Sequence, residues 1–376
     1  MARLHSRSPG VYLEEIFPTP APELLTGVCA FLGFADTGAV NIPQALTLWT
    51  QFTASFGRSA GYLSSAVYGF FNNGGQLCYV IRLDPNLPVE NALAQGLDAI
   101  APLDRMDLVC APDIVHPTRS SEQIRRMQQA VLDHCDQLGD RFAILDAGYD
   151  LSLDAVQHQQ RSLSSANAAL YFPWIQDENQ PIGSFVPPCG HVAGVFARSD
   201  RAVGVHQLPA NYALEGVLDV KRALTNADQF RLNPDLQVAG INCLRAFPGR
   251  GIRVWGGRTL STDANWRYIN VRRLFLTVVR WVELRLADVA FEPNEVQLWI
   301  RIERELNAFC ETLLQQGALQ GRVPQEAFFV KCNAETNPPE ERDRGRVITE
   351  IGLAPTLPNE FIVVRLIHGT SGVTAA

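Results

Sequence analysis

Seven histidines and eight cysteines are the side chains in this chain best suited to metal binding or nucleophilic attack, and their spacing supports neither chemistry. His5, His116, His134, His158, His191, His206 and His368 are scattered. Cys189-Gly190-His191 offers two donors without the further ligands of a tetrahedral site. Cys29, Cys78, Cys110, Cys135, Cys189, Cys243, Cys310 and Cys332 sit in apolar runs with no Cys-x-x-Cys pair, so they read as reduced, buried thiols. There is no Gly-x-Ser-x-Gly elbow for a nucleophilic serine and no His-Glu-x-x-His for a metalloprotease. Asn72-Asn73-Gly74-Gly75 follows a helix-like run and lacks the Gly-Lys-Ser/Thr of a phosphate loop, so it reads as a helix cap and turn. Glu14-Glu15 and Glu340-Glu341 are chain neighbours, which cannot supply a separated acid and base. No metal, no cofactor and no catalytic residue is expected.

The elements themselves must therefore carry the reading. A chain of 376 residues with 47% hydrophobic composition can bury the core of two or three domains without cross-links. Its formal charge of −7 and pI near 5.6 offer no general attraction for nucleic acid. No run approaches the roughly 20 apolar residues of a membrane span, and MARLHSRSPG lacks the apolar core of a signal peptide. Synthesis in a cytoplasm is expected, with no direct membrane insertion. Two of the 32 basic residues are lysines, a split that suits bidentate ion pairs at interfaces and is equally compatible with codon bias.

Gly240 to Phe247 and Gly251 to Trp255 are β-prone runs around Pro248-Gly249-Arg250-Gly251, whose residues supply the dihedrals of a tight reversal; a hairpin is predicted. Trp255, Gly256, Gly257, Arg258 and Thr259 follow. The glycines permit close backbone approach, and Arg258, Thr259 and Ser261 offer hydrogen-bonding groups suited to a rigid loop rather than to a core. With Asn233-Pro234-Asp235 ahead of it, this stretch resembles the Asn-Pro-Asp, glycine-turn, Val-Trp-Gly-x-Arg-Thr-Leu signature of contractile tail sheath proteins, found in myophages and related injection machines. Pro9-Gly10-Val11-Tyr12 with Glu14 and Glu15 is similar to that family's opening. Phe70 to Gly75, followed by Cys78-Tyr79-Val80-Ile81-Arg82, is similar to its Phe-Phe-x-Asn-Gly-Gly and the strand after it.

Along the chain, Val11 to Ile16 is a short strand led out by the spaced prolines Pro18, Pro20 and Pro22. Gly27 to Gly33 reads as a strand, Ala45 to Phe52 and Ser64 to Phe71 as helices, and Cys78 to Leu83 as a strand. From about Asp84 to Asp219 strands and helices alternate, with an amphipathic helix at Ser120 to Leu138, which argues for a largely parallel α/β sheet. Because the family-like pattern breaks off near Asp84 and resumes near Asn233, this block is expected to be an inserted outer domain. A long helix is predicted over Ile269 to Phe291, and a second one capped by Asn294 that carries Trp299, Ile302, Leu306, Phe309 and Leu313. Strands at Phe328 to Cys332, Val347 to Leu353 and Glu360 to Ile367 precede a free tail, Thr370 to Ala376.

The expected fold is mixed α/β. It has an N-terminal arm (1–25), a discontinuous main domain (26–84 and 220–359), an inserted α/β domain (85–219) and a C-terminal strand and tail (360–376). The resemblance implies a sheath subunit that polymerises helically around an inner tube, with baseplate and cap proteins as further partners. It also implies contraction that drives the tube through a target membrane. Strand exchange would run through Tyr12, Leu13, Ile16, Ile362, Val363, Val364 and Leu366, while the same strands could complete their own sheet instead. Arg280, Arg285, Arg301 and Arg304 are candidate inner-tube contacts, or simply solvated helix charges. A particle released by lysis would fit the same resemblance. The alternatives are a static capsid or baseplate component, or an enzyme using the α/β block.

Overall fold

The computed structural model describes residues 24–57, 61–149, 152–234, 238–289, 291–358, 366–369 and 372–375. In chain order these form β1 (Cys29–Gly33), β2 (Gln44–Leu46), α1 (Trp49–Phe56), α2 (Leu63–Asn72), β3 (Cys78–Arg82), α3 (Val89–Ile100) and β4 (Leu108–Cys110). Next come α4 (Ser121–Leu138), β5 (Phe142–Asp146), α5 (Leu153–Arg161), β6 (Ala168–Phe172), β7 (Ile175–Asp177), α6 (Cys189–Ala202), β8 (Val217–Val220) and α7 (Asn226–Leu232). The remainder is β9 (Ile241–Phe247), β10 (Gly251–Trp255), α8 (Ile269–Leu286), α9 (Val296–Gln315), α10 (Pro324–Ala327), β11 (Phe328–Lys331), α11 (Pro339–Asp343), β12 (Glu350–Leu353), β13 (Leu366–Gly369) and β14 (Gly372–Ala375).

One eight-stranded sheet, ordered β10-β9-β6-β5-β4-β1-β3-β2, organises the fold. Pairing is parallel from β9 to β3 and antiparallel at both ends, where β10 and β2 join. Alternation along β1 divides the core. Ala30 and Leu32 face a layer with α3, α4 and α5, while Cys29 and Phe31 face α1, α2, α6 and the start of α8. Being covered on both faces is why the central strands read as continuous apolar runs.

This sheet corrects the expected insertion. Strands β4, β5 and β6 from residues 85–219 lie in its middle, hydrogen-bonded to β1 on one side and to β9 on the other. A sheet shared by both segments cannot be cut there without exposing its backbone, so 85–219 is not a separate layer. Local corrections have equally local causes. Ala45 belongs to β2 opposite Tyr79, and the Gln51 side chain takes the Thr47 and Leu48 N–H groups, so the helix starts at Trp49. The long helix ends at Leu286, followed by a 3-10 turn at Ala287–Val289 and by Phe291 at φ 73°. Glu295, not Asn294, precedes the first turn of α9; the Asn294 side chain instead accepts from Trp299 Nε1 at 2.8 Å and donates to Arg346 O at 2.7 Å. The expected free tail contributes β14, which pairs with β13. Tyr12, Leu13, Ile16, Ile362, Val363 and Val364 lie outside the described residues.

A smaller C-terminal unit packs α9 against α8 and the two-stranded sheet β11-β12. Trp299, Ile302, Leu306 and Leu313 are buried at their helical spacing, and Phe309 stacks on Trp281 with centroids 3.9 Å apart. On β11, Phe329 lies opposite Gly352, which leaves room for its ring over the glycine.

Candidate functional site

The glycine-arginine stretch after the hairpin is a buried clasp. Gly256 passes so close to β9 that an added Cβ would stand 2.8 Å from Asn242 Cα, and one on Gly257 would meet Leu208 at 2.3 Å. Arg258 and Thr259 are buried, which corrects the expectation of a loop outside the core. Their backbone is held from below by Asn242, which accepts from Arg258 N at 2.9 Å and donates to Arg258 O at 2.8 Å. Thr259 Oγ1 donates to Trp266 O at 2.6 Å, Thr259 N to Arg267 O at 2.8 Å, and Ile269 N to Gly257 O at 3.0 Å. The stretch thus staples the sheet edge to the start of α8. Trp255, half-buried, sits 4.6 Å from Phe247 between ring centroids.

Beside it lies an ionic core. Arg273 donates to Asp200 at 2.8 Å through Nη1, and through Nη2 to Asp107 at 2.8 Å. Asp107 in turn accepts from Gly27 N and Val28 N at 3.1 and 2.7 Å. Burial alone would depress the Arg273 pKa, but Asp200 and then Asp107 carry it above the usual arginine value. Helix α8, the sheet and α6 are thereby locked together. The spacing of Arg273 from Ile269 and Leu276, both buried, puts it on the inner stripe of α8.

An enzyme would place a convergent polar pocket at the carboxyl ends of the parallel strands. Here those ends are filled from within. Asp113 accepts from Phe34 N at 2.7 Å and from Tyr62 N, and a Cβ on Gly33 or Gly61 would strike its carboxylate. Asp146 accepts from Cys189 N at the start of α6, and burial pushes its carboxyl up to about 7. Tyr62, Trp174 and Tyr149 pack edge to face across the same end, with Lys221 Nζ 3.4 Å from the Tyr149 ring centre. His191 and Asp177 are buried 4.0 Å apart with no third ligand, and burial lowers the imidazole to about 4. Among the described residues no group of three His, Cys, Asp or Glu side chains could hold a metal ion. The thiols are all unbridged and buried, and burial raises Cys29 to about 11.

The four candidate arginines do not form one face. Arg280 is buried; its Nη2 reaches Leu25 O and Asp104 O, both at 3.2 Å, beside a cavity of about 370 Å³ also lined by Leu24, Glu283 and Leu284. It ties α8 to the root of the N-terminal segment and is not available on the helix surface. Arg285 is half-buried, 5.7 Å from the Trp281 ring. Arg301 pairs with Glu292 at 2.7 Å and Glu305 at 3.3 Å. Arg304 is exposed, with no ion pair among the described residues.

The phage tail sheath protein central domain matches residues 89–260, and the phage tail sheath C-terminal domain matches residues 261–367. The chain is 31% identical to a chain of the anti-feeding prophage helical sheath in its contracted state, with a TM-score of 0.78 over 96% of this chain and 99% of that one. It is 28% identical to a chain of the PVC sheath complex of an extracellular contractile injection system, also contracted, with a TM-score of 0.77 over 97% and 99% of the two chains. A putative prophage major tail sheath protein of Pseudomonas aeruginosa (strain UCBPP-PA14) is 24% identical over 245 residues; the match spans 62% of this chain and 60% of that protein. The chain belongs to the contractile tail sheath family, and its role is structural.

Proposed function

We propose that copies of this chain stack as rings into a helical sheath around an inner tube, and that the sheath shortens to drive the tube through a target membrane. The observation that carries this reading is the end-to-end similarity to a contracted helical sheath. Arms at both chain termini link neighbours by strand addition, through Tyr12, Leu13 and Ile16 at one end and Ile362, Val363, Val364 and Leu366 at the other. Such linkage is favoured by the pair β11-β12, whose outer edges pair with no further strand among the described residues. Each added backbone hydrogen bond would contribute about 0.5–1.5 kcal/mol. Extended arms let rigid subunits rotate without losing their neighbours.

The extended state is trapped at assembly and relaxes to a lattice with better contacts, so firing needs no fuel at that moment and no active site. Baseplate and cap proteins bound the polymer at its ends. Assembly in the bacterial cytoplasm and release by lysis complete the reading, and no helix among the described residues is long and apolar enough to cross a membrane. On the tube side, Arg304 on α9 supplies positive charge for an acidic tube surface. Negative-stain microscopy of the overexpressed chain tests the proposal: long tubes are expected, and uniformly monomeric particles would count decisively against it.

A further inference from the structure

The tip of the β9-β10 hairpin carries three arginines that form no ion pair among the described residues. Arg245 and Arg253 stand directly opposite each other in the antiparallel register, a placement that like charges disfavour. Arg250 occupies the turn. Arg245 Nη2 donates to Asn226 Oδ1 at 2.9 Å and Arg250 Nη2 to Asn211 Oδ1 at 3.2 Å; Arg253 donates to Arg250 O at 3.0 Å and to Asn211 O. Every acceptor named is neutral, and among the described residues no ion pair joins any of the three and the buried Arg245 Nε has no acceptor. The Phe247 ring lies 5.3 Å from the Arg245 guanidinium and 5.9 Å from that of Arg250. The side chains are therefore oriented in advance.

The surroundings narrow what this face can bind. The outer edge of β10 is already used, since Val254 N donates to Tyr212 O at 3.0 Å and Leu214 N to Ile252 O at 2.8 Å. An added strand has no place there, so recognition must run through side chains. Gly249 and Gly251 turn at φ 70° and 74°, and a Cβ on either would meet nothing within 4 Å, so the turn stands clear of its own subunit. Outside this tip the chain is acidic, with 39 Asp and Glu against 32 Lys and Arg in all.

We propose that the hairpin tip docks on a carboxylate-bearing surface of a second copy of this chain, with Arg245, Arg250 and Arg253 reading the carboxylates. The proposal rests on the sheath reading, which supplies neighbouring copies. The experiment is sedimentation of the full chain at low and high salt, for wild type and for Arg250→Glu combined with Arg253→Glu. Wild type is expected to self-associate less as salt rises, and the reversal to weaken association about tenfold or more at low salt while its melting temperature holds. If the double variant is unstable, Arg250→Gln at the exposed turn replaces it, with the same direction expected. A variant that associates as wild type does, with the same salt dependence, overturns the proposal and leaves the sheath reading standing. A wild-type chain that stays monomeric at low salt overturns both. A single-stranded oligonucleotide that binds wild type but not the variant, with self-association unchanged, reassigns the face to nucleic acid.

Discussion

Asn242 and Arg258 pair side chain to backbone as two strands would pair backbone to backbone: Arg258 N donates to Asn242 Oδ1 at 2.9 Å, and Asn242 Nδ2 donates to Arg258 O at 2.8 Å. One amide side chain thereby satisfies both backbone polar groups of a buried residue beyond the end of β10. Asn242→Ala strands a buried N–H and a buried carbonyl, each costing about 1–3 kcal/mol. The urea midpoint is expected to fall accordingly, and a variant with an unchanged midpoint would show that the clasp is not held from Asn242.

Arg273 bridges two buried carboxylates, Asp107 and Asp200. Arg273→Met should cost about 3–5 kcal/mol, because it leaves both acids buried without a cation. Replacing all three with apolar residues of similar size should cost far less. Thermal melts of the single and triple variants separate loss of charge balance from loss of packing; equal damage in both would point to packing.

Asp146 gives a signed pH dependence. Its carboxyl is raised by burial to about 7, so the folded state holds its proton more tightly than the unfolded chain does. Its contribution is complete below about pH 4 and is lost as pH rises through about 7. Asp146→Asn should remove that slope, up to about 4 kcal/mol between the two limits. His191, lowered by burial to about 4, acts in the opposite sense and loses stability as pH falls from about 6.5 towards 4. Urea titrations from pH 4.5 to 8 decide the point: a difference between wild type and Asp146→Asn that stays constant across this range contradicts the assignment.

Arg280 and Arg304 should separate stability from assembly. Arg280→Met removes a buried guanidinium that holds Leu25 O and Asp104 O, and is expected to lower the melting temperature. Arg304→Glu, on an exposed position, is expected to leave the melt unchanged and to reduce co-sedimentation with tube protein. Binding unaffected by Arg304→Glu would remove that residue from the tube face.

Deleting Met1 to Pro20 should leave the melting curve of the chain nearly intact while abolishing tubes in negative stain. Tubes of normal length from the truncated chain would take the N-terminal arm out of the linkage.

Local pattern was enough for what depends on near neighbours in the chain. The amphipathic pattern from Ser120 to Leu138 placed α4, whose Ile124, Met127, Val131 and Cys135 are buried. Pro248 to Gly251 placed the hairpin, and the cysteines set in apolar runs are buried. The family signature was legible for the same reason, since its residues are contiguous. What the tertiary structure alone decided depends on partners far apart in the chain. Strands from 85–219 fill the middle of the common sheet because register between segments is set by burial on both faces, which no local period records. Arg273 and Arg280 are inside, while Arg304 on the neighbouring helix is outside. A charge can be buried only where distant acceptors such as Asp107, Asp200 and Leu25 O converge on it, and only folding brings them there.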